Sequence, residues 1–290
     1  MKTKNRKETK RGRGNGRREF RKNGAFGRND GKRNQNSPSR RWRIGSVVLV
    51  SCLLIFSVSF LAWNSSTVTS QPGQQTDVGV SKAVILDGLY SGSEDLTFEQ
   101  ELTSMLEHST TEHYQVDVFR RENVTVDLLK NIEGYKILIL RVHSAIGNDR
   151  CLYLFSGENF TTDKYLVERS MGAVREGKPY GGKNESYFAL NAAFVSANKP
   201  NGLKDSTIIL MGCKGMGDTY SVERLLGKGV KAYVAWNGDV DLSHSDEATI
   251  ALAEALYQDN LSVKAAVQKV MMEVGPDSYF GSELEYRPLQ

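Results

Sequence analysis

The chain has 290 residues, 39% of them hydrophobic and 25% charged, with three cysteines and four histidines. That length allows one or two domains, and the scattered histidines and cysteines lack the spacing of a metal-ligand set, so no metal or cofactor is expected. The formal charge of +4 averages two unlike parts: residues 1–43 hold 17 Lys and Arg against Glu8, Glu19 and Asp30, and the remainder is net acidic.

Residues 1–43 are rich in Arg, Lys, Gly and Asn and have no apolar periodicity, which predicts a disordered cytoplasmic tail. Runs such as R-G-R-G-N-G-R-R fit anionic lipid head groups, each basic residue contributing about 1 kcal/mol near the surface. No nucleic-acid module accompanies them, so nucleic acid is not expected as a partner. The next stretch, 44–63, holds 20 residues without a charge. As a helix it would span roughly 30 Å, the thickness of a hydrocarbon core. Trp42 and Trp63 bracket it, and Arg40, Arg41 and Arg43 abut its amino end. These features predict a single-pass transmembrane helix with a cytoplasmic amino terminus and an extracellular carboxyl-terminal domain. Cys52 lies within it and is expected to be inert. A polar linker over 64–80 follows, then the domain proper over 81–290. N-x-S/T triplets at Asn64, Asn123, Asn159, Asn184 and Asn260 agree with an exported, glycosylated surface without establishing it.

Within the domain, 82–86 reads as a first strand, with D-G-L-Y-S-G-S as its exit loop. Residues 97–108 have helical periodicity, 114–119 alternate as a strand, and 125–132 form a short helix. The run 135–142, Y-K-I-L-I-L-R-V, is apolar without alternation, as in a strand buried on both faces, and ends at His143. Residues 151–155 read as a strand and 159–170 as a helix. Residues 173–194, broken by Gly177, Pro179, Gly181 and Gly182, suggest a hairpin or covering loop. A second fully buried strand, 207–211, opens into a glycine-rich turn that carries Cys213. A helix over 220–226, a strand over 230–236, and amphipathic helices over 246–258 and 262–274 complete the chain. Strands alternating with helices predict an α/β fold, a mostly parallel sheet with helices on both faces.

One strand thus delivers a histidine at its exit and another delivers a cysteine, at the strand ends where open α/β sheets gather their chemistry. Cysteine attacks as the thiolate, and its ordinary pKa of about 8.5 leaves little thiolate at neutral pH. A histidine in reach takes the proton and returns it to a leaving amine. Glycine-rich backbone lets N–H groups approach a developing oxyanion. Gly212 in the cysteine loop, Lys214 beside it, and Ser144 and Gly147 after the histidine are the candidates for that part. Two plainer readings of the cysteine stand beside this one: a disulfide between Cys151 and Cys213, or an inert core thiol. No phosphate-binding loop is present, since G-C-K-G-M-G-D lacks the required form.

From about residue 82 onward the sequence resembles the caspase-like superfamily, which includes caspases, metacaspases, clostripain, gingipains and CHAT domains. The likeness rests on R-V-H-S-A, then I-I-L-M-G-C-K-G about 70 residues later, G-K-G-V-K-A-Y-V-A-W-N-G-D-V, and the helices D-E-A-T-I-A-L-A-E-A-L and S-V-K-A-A-V-Q-K-V. It implies a caspase-like sheet, with His143 as general base and Cys213 as nucleophile of a peptide-bond hydrolase acting on a protein or peptide. Ala145 stands where many relatives carry glycine, and Gly147 comes later. The region after the 230–236 strand lines the specificity pocket in relatives, which points to Trp236, Asp239, Asp241 and Asp246 and to a basic side chain before the cut bond. The other reading of those carboxylates is an acidic loop capping the helix that begins near Asp246. A surface receptor or scaffold that keeps the fold without catalysis, and an envelope protein whose tail docks something inside, are the rival functions.

Overall fold

The computed structural model describes residues 80–89, 91–180 and 185–289, all within the compact unit Gln75–Gln290. The expected tail, membrane span and most of the linker lie outside the described residues. Among the described residues, no helix is long and apolar enough to cross a membrane.

The elements, in chain order, are β1 (Ser81–Asp87), α1 (Ser93–Glu107), β2 (Tyr114–Arg120), α2 (Val126–Asn131), β3 (Ile137–Arg141), β4 (Ser144–Ile146) and β5 (Leu152–Asn159). They continue with α3 (Leu166–Ser170), β6 (Val174–Gly177), β7 (Tyr187–Asn191), β8 (Thr207–Leu210), α4 (Thr219–Leu226), β9 (Ala232–Trp236), α5 (Leu242–Ala253), α6 (Val263–Glu273) and β10 (Leu284–Pro288). A six-stranded sheet runs β10-β9-β8-β3-β1-β2, parallel throughout except for the antiparallel β10 at one edge. The α/β, mostly parallel reading therefore holds.

Strand periodicity divides the core in two. Val84 and Leu86, Leu138 and Leu140, Ile208 and Leu210, and Tyr233 and Ala235 face one layer, built from α2, α4 and a second sheet. Ala83 and Ile85, Ile137 and Ile139, Ile209 and Met211, and Val234 and Trp236 face the other, built from α1, α5 and α6. Because both faces are covered, these strands read as unbroken apolar runs rather than alternating ones. Helix starts are fixed by capping side chains: Thr125 accepts from Leu128 N, Asp218 from Tyr220 N, Asp241 from Ser243 N and Ser262 from Ala265 N.

The sequence reading departs from the structure at three places. The 159–170 helix is mostly absent: β5 continues to Asn159 and only the five-residue α3 is helical. In L-Y-L-F-S-G-E-N the alternating aromatic residues Tyr153 and Phe155 suit a strand, which carries the chain through to Asn159. The hairpin expected over 173–194 is present as the antiparallel pair β6–β7, which β5 and β4 extend into a sheet of order β4-β5-β7-β6 on the α2/α4 side. The edge strand β10 was not anticipated. The helix expected from Asp246 starts four residues earlier, at Leu242, because Asp241 caps it.

Candidate functional site

The register of β1 against β3 sets Asp87 beside Arg141 at the carboxyl ends of both strands. By alternation both project into the α1/α5 layer, just beyond its apolar core. Arg141 is 1% exposed, and a buried guanidinium must be paired. Its Nη1 donates to both Asp87 carboxylate oxygens at 3.0 Å, and Nη2 donates to Asp95 on α1 at 2.7 Å. Nε and Nη2 also donate to Asp246 on α5, each at 2.9 Å, and the Phe98 ring lies 5.2 Å from the guanidinium carbon. One cation thus ties β1, β3, α1 and α5 together immediately before His143. Asp246, expected in a specificity pocket, is spent on Arg141.

Burial pushes the Asp87 carboxyl up to about 6, against the opposing pull of Arg141. An acid whose folded pKa is raised stabilises the fold fully below its unfolded pKa and loses that contribution as pH rises through the folded value. Relative to Asp87→Asn, the natural protein is therefore expected to lose roughly 1–3 kcal/mol of stability between about pH 4 and pH 6. Urea unfolding of both proteins across that range checks this, and a difference independent of pH would contradict it.

His143 leaves the end of β3 and Cys213 the end of the adjacent parallel strand β8. Their loops are locked together: Ser144, buried directly after the histidine, donates its hydroxyl to the Cys213 carbonyl at 2.6 Å. Gly212 permits this approach, because a Cβ there would fall onto Ser144 Oγ and the Val142 carbonyl oxygen. Gly212→Ala is expected to cost about 1–3 kcal/mol through overpacking, and more if the backbone oxygen cannot move. A thermal melt superimposable on the natural protein's would show that the loops do not meet there.

The two reactive groups nevertheless have separate partners among the described residues. The Cys213 thiol donates to the Val240 carbonyl at 3.7 Å, and the His143 ring stands edge-on to Phe155 with centroids 6.0 Å apart. Burial is the main cause that raises the Cys213 pKa above its ordinary value, with Asp239 adding to it and Val240 and Lys214 opposing. His143 keeps an exposed surface, yet enough protein surrounds it that burial holds its pKa below the ordinary imidazole value. At neutral pH the site therefore presents a neutral thiol and a neutral imidazole. Cys151 and Cys213 are both free, which removes the disulfide reading.

The remaining expected site residues are placed as follows. The Gly147 N–H donates to the Cys151 carbonyl at 2.9 Å and the Lys214 N–H to the Gly238 carbonyl at 2.7 Å, so both amides are engaged within the fold. Lys214, at a left-handed φ of 57°, pairs its ammonium with Asp239 at 2.8 Å. Asp241 caps α5. Trp236 is 1% exposed, with its indole N–H on Ser245 Oγ, and belongs to the core rather than to an open pocket. The capping alternative thus describes Asp241, and ion pairs account for Asp239 and Asp246.

Beside His143 lies a cleft of about 470 Å³, lined among others by Leu89, Arg121, Phe155, Glu185 and Tyr187. Cys213 is not among its lining residues. Gly157 in its wall has room for no Cβ, since one would overlap the Arg121 carbonyl. Among the described residues no cluster of three or more His, Cys, Asp or Glu is arranged for a metal ion. Arg141 went unnoticed in the sequence, although a lone charge inside I-L-I-L-R-V, in register with the Asp ending V-I-L-D, was a legible sign of a buried pair. The chain matches no family model and no curated protein.

Proposed function

We propose that the domain is a caspase-like cysteine peptidase, anchored by residues 44–63 and facing outward, that hydrolyses peptide bonds with His143 as base and Cys213 as nucleophile. The observation that carries it is the delivery of both residues by adjacent parallel strands at the same sheet end, with Ser144 joining their loops. A polypeptide carbonyl held between them receives the sulfur while His143 accepts the thiol proton. The same imidazole then protonates the departing amine, and water releases the acyl group from the thioester. Since the base serves the departing amine, the leaving side of the substrate lies on the His143 side. The cleft beside that residue is the space for it. Turning the thiol from Val240 toward His143 is the movement this chemistry requires; catalytic hydrogen bonds commonly tighten only once substrate is bound.

A protected thiol whose hydrogen bond goes to Val240 favours a second reading, a scaffold that binds a polypeptide without cleaving it. Incubating the full chain with a randomised peptide library, followed by mass spectrometry, separates the two. Cleavage products that vanish in Cys213→Ala support the peptidase. Retained peptides without products support the scaffold. The lipid partnership is checked by vesicle sedimentation of residues 1–43 as a peptide, which should weaken as salt rises.

A further inference from the structure

We propose that Asp277 and Ser282, on the loop between α6 and β10, are positioning residues that hold the Cys213 thiol in its protected orientation by clamping Val240 from both sides. The thiol's acceptor is the Val240 carbonyl. The residue before it, Asp239, offers its carbonyl to the Ser282 hydroxyl at 2.6 Å. The residue after it, Asp241, donates its N–H to Asp277 Oδ2 at 2.8 Å. Asp277 and Ser282 are only 2% and 5% exposed, and their own loop is closed by Asp277 N donating to the Ser282 carbonyl at 2.9 Å. The same loop is tied to the end of β9, where Asn237 N donates to the Glu283 carbonyl at 3.0 Å, and these bonds together fix the carbonyl that faces the sulfur.

The other carboxylate oxygen of Asp277 accepts the amides of Tyr279 and Phe280, at 2.9 and 2.7 Å. Those two rings stack edge to face and remain exposed. One buried carboxylate therefore couples an exposed aromatic pair to the backbone around the thiol. The charged groups near the sulfur are Lys214 on its own loop and Asp239 on the facing one; those near Asp277 are Asp241 and His244.

The test is the rate of iodoacetamide alkylation at Cys213 in the full chain, read by peptide mass spectrometry, with the half-exposed Cys151 just before β5 as internal reference. In Asp277→Asn the amide cannot serve all three N–H groups, and Ser282→Ala is a milder release that leaves the carboxylate intact. Each variant is expected to be alkylated at Cys213 about three- to tenfold faster at pH 7.5, the range that one lost hydrogen bond spans, with Cys151 unchanged. Cys213 rates equal to the natural protein's in both variants would overturn the proposal. So would Cys213 and Cys151 rates rising together in both, which would be general loosening. The inference concerns the thiol of the peptidase reading, but alkylation reports it whether or not peptides are cleaved, so either can fail alone.

Discussion

Arg141→Ala is expected to lower the unfolding free energy by about 3–5 kcal/mol, the usual cost of stranding buried charges by removing their partner. Three carboxylates, Asp87, Asp95 and Asp246, converge on this guanidinium, and without it they repel one another, Asp87 and Asp95 in a place water scarcely reaches and Asp246 at its partly exposed edge. Arg141→Lys should recover only part of the loss. An ammonium is a point charge, whereas the planar fork serves carboxylates on three elements at once. Urea denaturation of the three proteins measures this, and an alanine variant within 1 kcal/mol of the natural protein would show the cluster to be energetically idle. A quadruple variant that replaces the three carboxylates along with Arg141 should be far less damaging than Arg141→Ala alone, because no charge is left unpaired.

The position of that cluster bears on the site. Val142 is the only residue between Arg141 and His143, and the Gly88 N–H donates to the Arg141 carbonyl at 3.0 Å. The end of β3 is thus fixed by side chain and backbone together, so the histidine leaves a rigid platform. Its own ring is less constrained, with Phe155 on one side and the cleft on the other. A rigid strand end with a freer side chain suits a base that must accept a proton at one atom and deliver it to another.

The parallel sheet was legible because strands buried on both faces write themselves as apolar runs, and 135–142 and 207–211 are such runs. The strand-end placement of His143 and Cys213 followed from the same signal. The antiparallel sheet β4-β5-β7-β6 was harder to read. β4 has three residues, and β5 is interrupted by an irregularity between Phe155 and Asn159 that breaks its period. The partners of the acidic residues after β9 were illegible for a different reason. Acidic residues in a loop look alike in sequence, while their fates depend on partners far away: Asp239 on Lys214, Asp241 on its own helix, Asp246 on Arg141 105 residues upstream. The hold of Asp277 and Ser282 on the segment around Val240 was invisible for the same reason, since it joins residues 36 and 43 positions apart through backbone groups that no motif records.

If the peptidase reading is right, the pH–rate profile should be that of a neutral pair. His143 titrates below its ordinary 6.5, so the acid limb of kcat/KM falls below that pH, and the thiol titrates above its ordinary value, leaving a plateau between the two. His143→Ala should lose about 100- to 10,000-fold at pH 7, the usual worth of a positioned general base. That penalty should shrink as pH approaches the thiol's own pKa, because thiolate then forms without help. Cys213→Ala should show no cleavage at any pH. A pre-formed thiolate–imidazolium pair would behave differently: activity would persist well below pH 6 and Cys213 would be alkylated there. Either result would mean that the two side chains meet in the resting protein. The thiol turned toward Val240 and the ring against Phe155 argue for the opposite order, in which peptide binding brings them together and the proton moves only as the carbon–sulfur bond forms.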